Sequence, residues 1–189
     1  YGTDMSNWTT ATSNTTETLN AVASNGALAV AVGNNGALRT SSDGITWANG
    51  TVPTTKNLYG VAYSGGGVWM AVGAGGALMT STDATNWTLV ASGTTTDLNA
   101  VAVQAYTSYT FVAAGNGGSI LTSTDNGVTW VSQASGSSAN LLGISTAANQ
   151  VLVTGTGGTV LTSPNATTAW TTLTTGTTAE LYAAISGFA

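Results

Sequence analysis

The sequence of 189 residues contains neither cysteine nor histidine, and only 5% of its residues are charged. Without cysteine there is no disulfide framework to interpret, and without histidine the commonest general base and metal ligand is missing. Nucleophilic catalysis by a Ser–His or Cys–His pair is therefore excluded. We expect no enzymatic activity, no metal ion and no cofactor.

Positive charge is the scarcer sign. Two basic residues, Arg39 and Lys56, stand against seven acidic ones, and the formal net charge is −5. Nucleic-acid binding depends on basic side chains that neutralise phosphates, so no nucleic-acid partner is expected. No apolar run approaches the roughly 18 residues of a membrane span. A surface solvated by Thr, Ser, Asn and Gly is typical of exported adhesins, surface layers, filaments and virions, and we predict an extracellular, cell-surface or virion location.

One pattern of about 40 residues is written five times along the chain. A tryptophan closes each copy, at steps of 39, 40, 43 and 40 residues, and a leucine opens the next copy. A fixed period of this length indicates a repeat architecture. Each unit holds four short β-rich runs separated by Gly, Asn or Asp, which predicts an all-β fold: a β-propeller of four-stranded blades. The closing and opening residues are Trp8, Trp47, Trp87, Trp130 and Trp170, and Leu19, Leu58, Leu98, Leu141 and Leu181.

The repeat predicts a single domain over residues 1–189, with four complete blades and a divided fifth. The split blade takes its fourth strand from residues 1–18 and its first strand from residues 181–189. Its second and third strands are missing, and open strand edges are templates for pairing. We therefore predict that these edges pair with another copy, giving a homo-oligomer or a filament, or with a missing part of the same chain. The alternatives are that the chain is a segment of a longer propeller, or that the ring closes imperfectly. The complete blades are 19–57, 58–97, 98–140 and 141–180.

Two turns recur in each unit. Glycine-rich quartets at 33–36, 73–76, 115–118 and 155–158 predict two-residue hairpins that require positive φ. A second turn has the pattern S-x-D-x-G-x-T-W, complete in residues 123–130. Its aspartate is expected to accept backbone N–H groups, and its tryptophan to pack between neighbouring sheets. The residues with this structural role are Asp4, Trp8, Asp43, Trp47, Asp83, Trp87, Asp125, Trp130, Asn165 and Trp170.

These turns resemble the Asp-box repeats of sialidase-like and photosystem-assembly-factor-like β-propellers. The layout A-V-G-x-x-G, followed by T-S-x-D-G-x-T-W, is most similar to the second group. The resemblance covers essentially the whole chain and implies that the boxes lie at the periphery, between the third and fourth strands. Sialidase chemistry clamps a carboxylate with three arginines, and is not expected here because Arg39 is the single arginine.

Charged and amide side chains recur just before the opening leucines. In a propeller, the loops that lead from a fourth strand to the next first strand converge on one face near the channel. A polar ring there has the chemistry to hold a sugar or a cation, and the alternative is a set of solvated loop ends. A longer hairpin, with Tyr106 and Tyr109, is either a contact surface or packing. The candidate ligand residues are Glu17, Lys56, Asn57, Asp97, Asn140 and Glu180.

Three functions remain open at this point. The main prediction is a non-enzymatic structural or adhesive module outside the cell, a subunit of a surface filament, layer or virion. The first alternative is a lectin-like, carbohydrate-binding propeller with a glycan partner. The second is a protein-assembly scaffold of the photosystem-assembly-factor type, which would require a charged docking face that the composition does not suggest.

Overall fold

The computed structural model describes residues 10–105 and 108–184, and within these ranges sixteen strands form four antiparallel sheets. Sheet 1 contains β1 (Leu19–Ser24), β2 (Ala29–Gly33), β3 (Leu38–Ser41) and β4 (Ala48–Asn49). Sheet 2 contains β5 (Leu58–Tyr63), β6 (Trp69–Gly73), β7 (Leu78–Ser81) and β8 (Thr88–Leu89). Sheet 3 contains β9 (Leu98–Ala105), β10 (Tyr109–Gly115), β11 (Ile120–Ser123) and β12 (Val131–Gln133). Sheet 4 contains β13 (Leu141–Ala147), β14 (Gln150–Gly155), β15 (Val160–Ser163) and β16 (Thr171–Leu173).

Each sheet is a simple meander, in which every strand pairs with the next along the chain. The predicted all-β fold with four strands per repeat is confirmed for these four sheets. The split fifth blade stays a prediction, and residues 1–9 and 185–189 lie outside the described part. Of its described residues, Thr12 makes a single parallel bridge to Thr46, and residues 181–184 are not assigned to a strand. No helix within the described ranges is long and apolar enough to cross a membrane.

The glycine-rich turns are longer than the predicted two-residue hairpins. The N–H of Gly73 donates to the carbonyl of Ala77 over 2.9 Å, and residues 74–76 form a 3-10 turn between β6 and β7. Gly73 itself is extended, but a Cβ there would lie 2.0 Å from the carbonyl oxygen of Asn57. Positive φ is needed in the middle of the turn, where Gly75 has φ 58°. The first glycine therefore permits a close approach of the segment before β5, and a later one supplies the left-handed conformation.

The apolar core is divided into three parts, each between neighbouring sheets. Inner strands pack in chain order, β1 on β5, β5 on β9 and β9 on β13. The first part joins Val30, Val32 and Leu38 of sheet 1 to Trp69 and Met79 of sheet 2. The same positions build the other two parts, because the repeat places equivalent side chains on equivalent faces. Their members include Met70, Val72, Phe111, Ala113 and Leu121 in the second, and Val112, Ala114, Val151, Val153 and Leu161 in the third.

Candidate functional site

The six predicted ligand residues lie at one end of the strands. Each precedes the first strand of a sheet, or the predicted first strand of the fifth blade. In each of the four sheets, the first strand begins beside the last residue of the second strand, at the 3-10 turn. We call this end of the sheets the turn face. It consists of Glu17, Lys56, Asn57, Asp97, Asn140 and Glu180 together with the turns 34–36, 74–76, 116–118 and 156–158.

Asn57 joins sheet 1 to sheet 2 through both its backbone and its side chain. Its Oδ1 accepts a hydrogen bond from the N–H of Asn35 in the turn of sheet 1, over 3.0 Å. Its carbonyl oxygen accepts one from the N–H of Ala74 in the turn of sheet 2, over 2.9 Å. Asn35 has φ 54°, and the side chain of Asn57 satisfies the N–H of this left-handed residue. An amide at this position thus supports the turn and the contact between sheets.

Asp97 and Asn140 repeat the same arrangement at the next two boundaries between sheets. The Oδ1 of Asp97 accepts from the N–H of Gly75 over 2.7 Å, and the Oδ1 of Asn140 accepts from the N–H of Gly117 over 3.1 Å. Their carbonyl oxygens accept from Asn116 and Thr156, both over 2.9 Å. The turns are thereby linked in a continuous row along the face. The structure gives these side chains a supporting role, and ligand binding by them stays a prediction.

The charged residues of the turn face have neutral partners. A carboxylate oxygen of Glu17 accepts from the side-chain amide of Asn35 over 2.9 Å, and the Nζ of Lys56 donates to the carbonyl of Gly75 over 3.0 Å. The hydroxyl of Tyr182 donates to the carboxylate of Glu180. That hydrogen bond, together with the negative charge of Glu180, raises the pKa of Tyr182. The face therefore carries one positive and three negative charges.

The fourth turn departs from the pattern of the other three. By position, the side chain of Glu180 would accept from the N–H of Gly157, but it is bonded to Tyr182 instead. None of the described side chains accepts a hydrogen bond from Gly157. The row of side-chain acceptors on the turn face thus ends at sheet 4.

Two asparagines on the inner strands were missed by the sequence analysis. The Nδ2 of Asn20 donates to Asn34 Oδ1 over 3.0 Å and to the carbonyl of Leu58 over 2.8 Å. Asn99 makes the same pair of bonds, to Asn116 Oδ1 over 2.9 Å and to the carbonyl of Leu141 over 2.8 Å. A polar residue directly after the opening leucine, present in two copies, was the signal that could have revealed this second link between sheets.

The box aspartates of sheets 1 to 3 lie at the opposite end of the strands from the turn face, in the connection between the third and fourth strands. Asp43 Oδ1 accepts from the N–H groups of Thr46 and Ile45, over 2.7 and 2.8 Å, and from the hydroxyl of Ser41 over 2.9 Å. These bonds favour the ionised carboxylate, and they lower the pKa of Asp43 to about 2. A group with such a pKa is ionised at neutral pH and has no proton to donate.

Two further boxes hold their carboxylates in the same way. Asp83 accepts from the backbone and the side-chain amide of Asn86, over 2.7 and 2.8 Å, and these bonds lower its pKa. The hydroxyl and backbone N–H of Thr129 lower the pKa of Asp125 to about 2. In sheet 4, Asn165 accepts from the N–H of Thr168 over 2.9 Å. Asp4 and Trp8, the fifth box, lie outside the described residues.

The box tryptophans differ in how their ring nitrogens are satisfied. Nε1 donates to the carbonyl three residues earlier in Trp47, Trp87 and Trp130, over 3.3, 3.0 and 3.2 Å. The Nε1 of Trp170 is buried and has no hydrogen-bond partner among the described residues. Trp87 is the most deeply buried, with 7% of its surface exposed, and it packs with sheet 1. Among residues 10–105 and 108–184, no group of three or more acidic residues comes together to hold a metal ion.

The longer hairpin of sheet 3 packs on its neighbour. A Cβ added at Gly66 would lie 2.7 Å from Cε2 of Tyr109. The tyrosine ring therefore packs directly on the hairpin that joins β5 to β6 in sheet 2. Of the two predictions for this hairpin, the structure favours packing for Tyr109. Tyr106 lies outside the described residues.

No protein-family model and no curated protein matches the chain. Solved structures do match. One is "YCF48 bound to D1 peptide", with a TM-score of 0.67 and 17% identity over 89% of this chain. A second is YCF48 from Cyanidioschyzon merolae, with a TM-score of 0.67 and 18% identity over 90% of this chain. The chain spans 57% and 60% of the length of these two proteins.

A third similar structure is the GH74 enzyme of Niastella koreensis. Its TM-score is 0.62, with 18% identity over 78% of this chain and 28% of the enzyme. Identities this low establish the fold alone. Together with the four meander sheets, these similarities show that the chain has the β-propeller fold.

Proposed function

We propose that the chain is a non-enzymatic scaffold that binds a segment of a protein partner. The observation that carries this proposal is the similarity, over 89% of the chain, to a propeller whose structure contains a bound peptide. This supports the assembly-scaffold alternative over the structural or adhesive prediction. The comparisons lend no support to a filament, to self-association through terminal strands, or to a glycan. The extracellular location stays a prediction from composition.

The turn face is the surface that we assign to this partner. Four of the nine charged residues of the chain lie on it, and this concentration of charge supports its use as the docking face that the composition alone did not suggest. Its row of hydrogen bonds holds the acceptors in place, which reduces the entropy lost on binding. The Nδ2 groups of Asn57 and Asn140 and the Oδ2 of Asp97 have no partner among the described residues. Donors and acceptors of this kind suit the backbone and basic side chains of a peptide.

We also propose that the ring continues into the fifth blade. A Cβ at Gly60 would lie 3.3 Å from the Cα of Ala100, on the inner strand of the following sheet. A Cβ at Gly143, the equivalent glycine of sheet 4, would lie 3.0 Å from the Cα of Ala183. Residues 181–184 therefore take the place of an inner strand beside sheet 4. This supports the predicted blades of 19–57, 58–97, 98–140 and 141–180 with a divided fifth.

A library of linear peptides panned against the immobilised chain tests the function. Selected peptides are expected to carry Lys or Arg and to bind more weakly to Asp97→Asn and Glu17→Gln, which remove charge from the turn face. Asp125→Asn removes the same charge at the opposite edge and is the matched control. The proposal fails when no peptide is enriched, or when all three variants bind the selected peptides as the wild type does.

A further inference from the structure

The first hairpin of sheet 3 is longer than that of sheet 2. Strands β9 and β10 have eight and seven residues, whereas β5 and β6 have six and five. The added length pairs Gln104 with Thr110 and Ala105 with Tyr109. Because side chains alternate along a strand, Tyr109 packs on sheet 2, while Gln104 and Thr110 face sheet 4.

A cleft lies at this place, between sheets 3 and 4 and at the end of the strands opposite the turn face. Its volume is about 410 Å³. Small-molecule sites commonly have volumes of about 300–1,000 Å³. We call it the box cleft, and its lining includes Gln104, Thr110 and Thr124 of sheet 3 and Ala148, Asn149 and Pro164 of sheet 4.

Gln104 joins the two sheets at the box cleft and keeps one polar atom free. The side chain is 4% exposed. Its Nε2 donates to the carbonyls of Ala147 and Ala148, both over 3.2 Å, and to that of Pro164 over 2.9 Å. Its Oε1 accepts no hydrogen bond from any described residue. Since Gln104 lines the cleft, and a buried acceptor without a donor is unfavourable, Oε1 is the acceptor that a ligand in the cleft would satisfy.

The hairpin itself does not require a glutamine at this position. The equivalent residue of sheet 2 is Ser64, which is fully buried. Its hydroxyl accepts from the N–H of Val68 over 3.1 Å and closes the hairpin of its own sheet. Gln104 instead extends to the neighbouring sheet, and the cleft is found where it does so.

The other polar side chains of the box cleft are uncharged. The hydroxyls of Thr110 and Thr124 and the amide of Asn149 make no hydrogen bond with residues 10–105 and 108–184. None of the described residues that line the cleft carries a charge, so an ionic ligand would lose hydration there without gaining a counter-ion. Hydroxyls and amides both donate and accept, and a ligand hydroxyl does the same.

We propose that the box cleft binds a neutral sugar. The sugar hydroxyls donate to Oε1 of Gln104 and exchange hydrogen bonds with Thr110 and Asn149. The C–H face of the sugar ring contacts the apolar side chains of Ala148 and Pro164. The cleft lies at the opposite end of the strands from the turn face, so this inference is independent of the proposed function and adds a ligand of another class.

A glycan array that carries neutral and acidic oligosaccharides, probed with the fluorescently labelled chain, tests the class of ligand. We expect binding to neutral oligosaccharides and none to acidic ones. The best-bound neutral oligosaccharide is then titrated calorimetrically. Thr110→Val keeps the shape of the side chain and removes its hydroxyl, and Asn149→Ala removes the amide. Each should weaken binding about fivefold. Thr88→Val is the matched control, because Thr88 is exposed on β8 of sheet 2.

Tyr106→Ala tests whether the hairpin of sheet 3 fills the cleft, since residues 106 and 107 lie outside the described part. Binding that appears only in Tyr106→Ala overturns the inference. So does an array with no neutral glycan above background, a preference for acidic glycans, or equal affinity of wild type, Thr110→Val and Asn149→Ala. Circular dichroism and melting temperatures check that each variant folds. Any of these failures leaves peptide binding at the turn face in place, because that test uses Asp97 and Glu17.

Discussion

The carboxylate of Asp97 accepts a hydrogen bond from the backbone N–H of Gly75 over 2.7 Å, while its own carbonyl accepts one from Asn116. One residue thus joins the turn of sheet 2 to the turn of sheet 3. The bond uses Oδ1 alone, so the geometry requires an acceptor and not a charge. Asn57 and Asn140 satisfy the same requirement with amides.

Replacement of Asp97 separates these two properties. Asp97→Ala leaves the N–H of Gly75 without its acceptor and is expected to lower the free energy of unfolding by about 1 kcal/mol. Asp97→Asn keeps the acceptor and should stay within about 0.5 kcal/mol of wild type. Urea unfolding followed by tryptophan fluorescence measures both. Equal stabilities of the Ala and Asn variants would contradict the supporting role.

Acid should destabilise the protein through the boxes. The folded pKa of Asp43 and of Asp125 is about 2, below the ordinary value of 3.8, and that of Asp83 is lowered as well. Groups with a depressed folded pKa contribute stability above the unfolded value, and they lose it as pH falls through the folded pKa. The melting temperature should therefore drop between about pH 4 and pH 2.

The triple variant Asp43→Asn, Asp83→Asn and Asp125→Asn is the control for this effect. The fourth box already uses Asn165 as its acceptor, so the substitution preserves the turn. We expect the variant to fold and to show a flatter profile of melting temperature from pH 4 to pH 2. A profile as steep as that of wild type would show that other groups cause the acid sensitivity.

Replacement of the box tryptophan by phenylalanine should lower the free energy of unfolding by different amounts at Trp87 and Trp170. Trp87→Phe loses the hydrogen bond from Nε1 to the carbonyl of Ala84, whereas Trp170→Phe removes a buried N–H that has no partner in residues 10–105 and 108–184. The loss of ring volume is similar in the two variants. Trp170→Phe should therefore cost less by about 1 kcal/mol of unfolding free energy, measured by urea titration. The reverse order would mean that Trp170 has a partner in solution.

Glycines of the repeat should differ in how much stability is lost when they are replaced by alanine. Gly73→Ala forces a methyl group to within 2.0 Å of the carbonyl oxygen of Asn57, and we expect a loss of about 3 kcal/mol or more. Gly93 has φ 75° but open space around the Cβ position. Gly93→Ala meets only backbone strain and should cost about 1 kcal/mol. Thermal unfolding of the two variants checks the order, which comparable losses would refute.

The spacing of the tryptophans predicted the repeat, and the β-rich runs and turn residues within each repeat predicted its four strands and their order. Turn geometry could not be predicted fully. The glycines of the quartet 73–76 were expected to supply positive φ, and Gly75 and Gly76 do, but Gly73 is extended and permits the close approach of the segment before β5. That approach depends on a residue in the preceding loop, and local sequence carries no information about it.

The candidate site was predicted in position but not in detail. The loops before Leu58, Leu98 and Leu141 do meet the turns at one edge, as the repeat implies. What Asn57 or Asp97 contacts there depends on the adjacent sheet, and sequence spacing does not reveal whether an amide faces a ligand or a backbone N–H. The carbonyl partners of Arg39, on Ser13, Asn14 and Leu38, likewise did not follow from its place in the repeat.

Within the described part of the chain, the inner strands of the sheets pack in chain order, each on the next, which makes the chain modular. Each 40-residue unit presents the same two faces, so an added copy inserted between sheets 2 and 3 meets surfaces that it already matches. Duplication of one repeat can therefore add a sheet to the propeller without changing the existing contacts between sheets. Propellers with different numbers of sheets would then differ in the angle between neighbouring sheets.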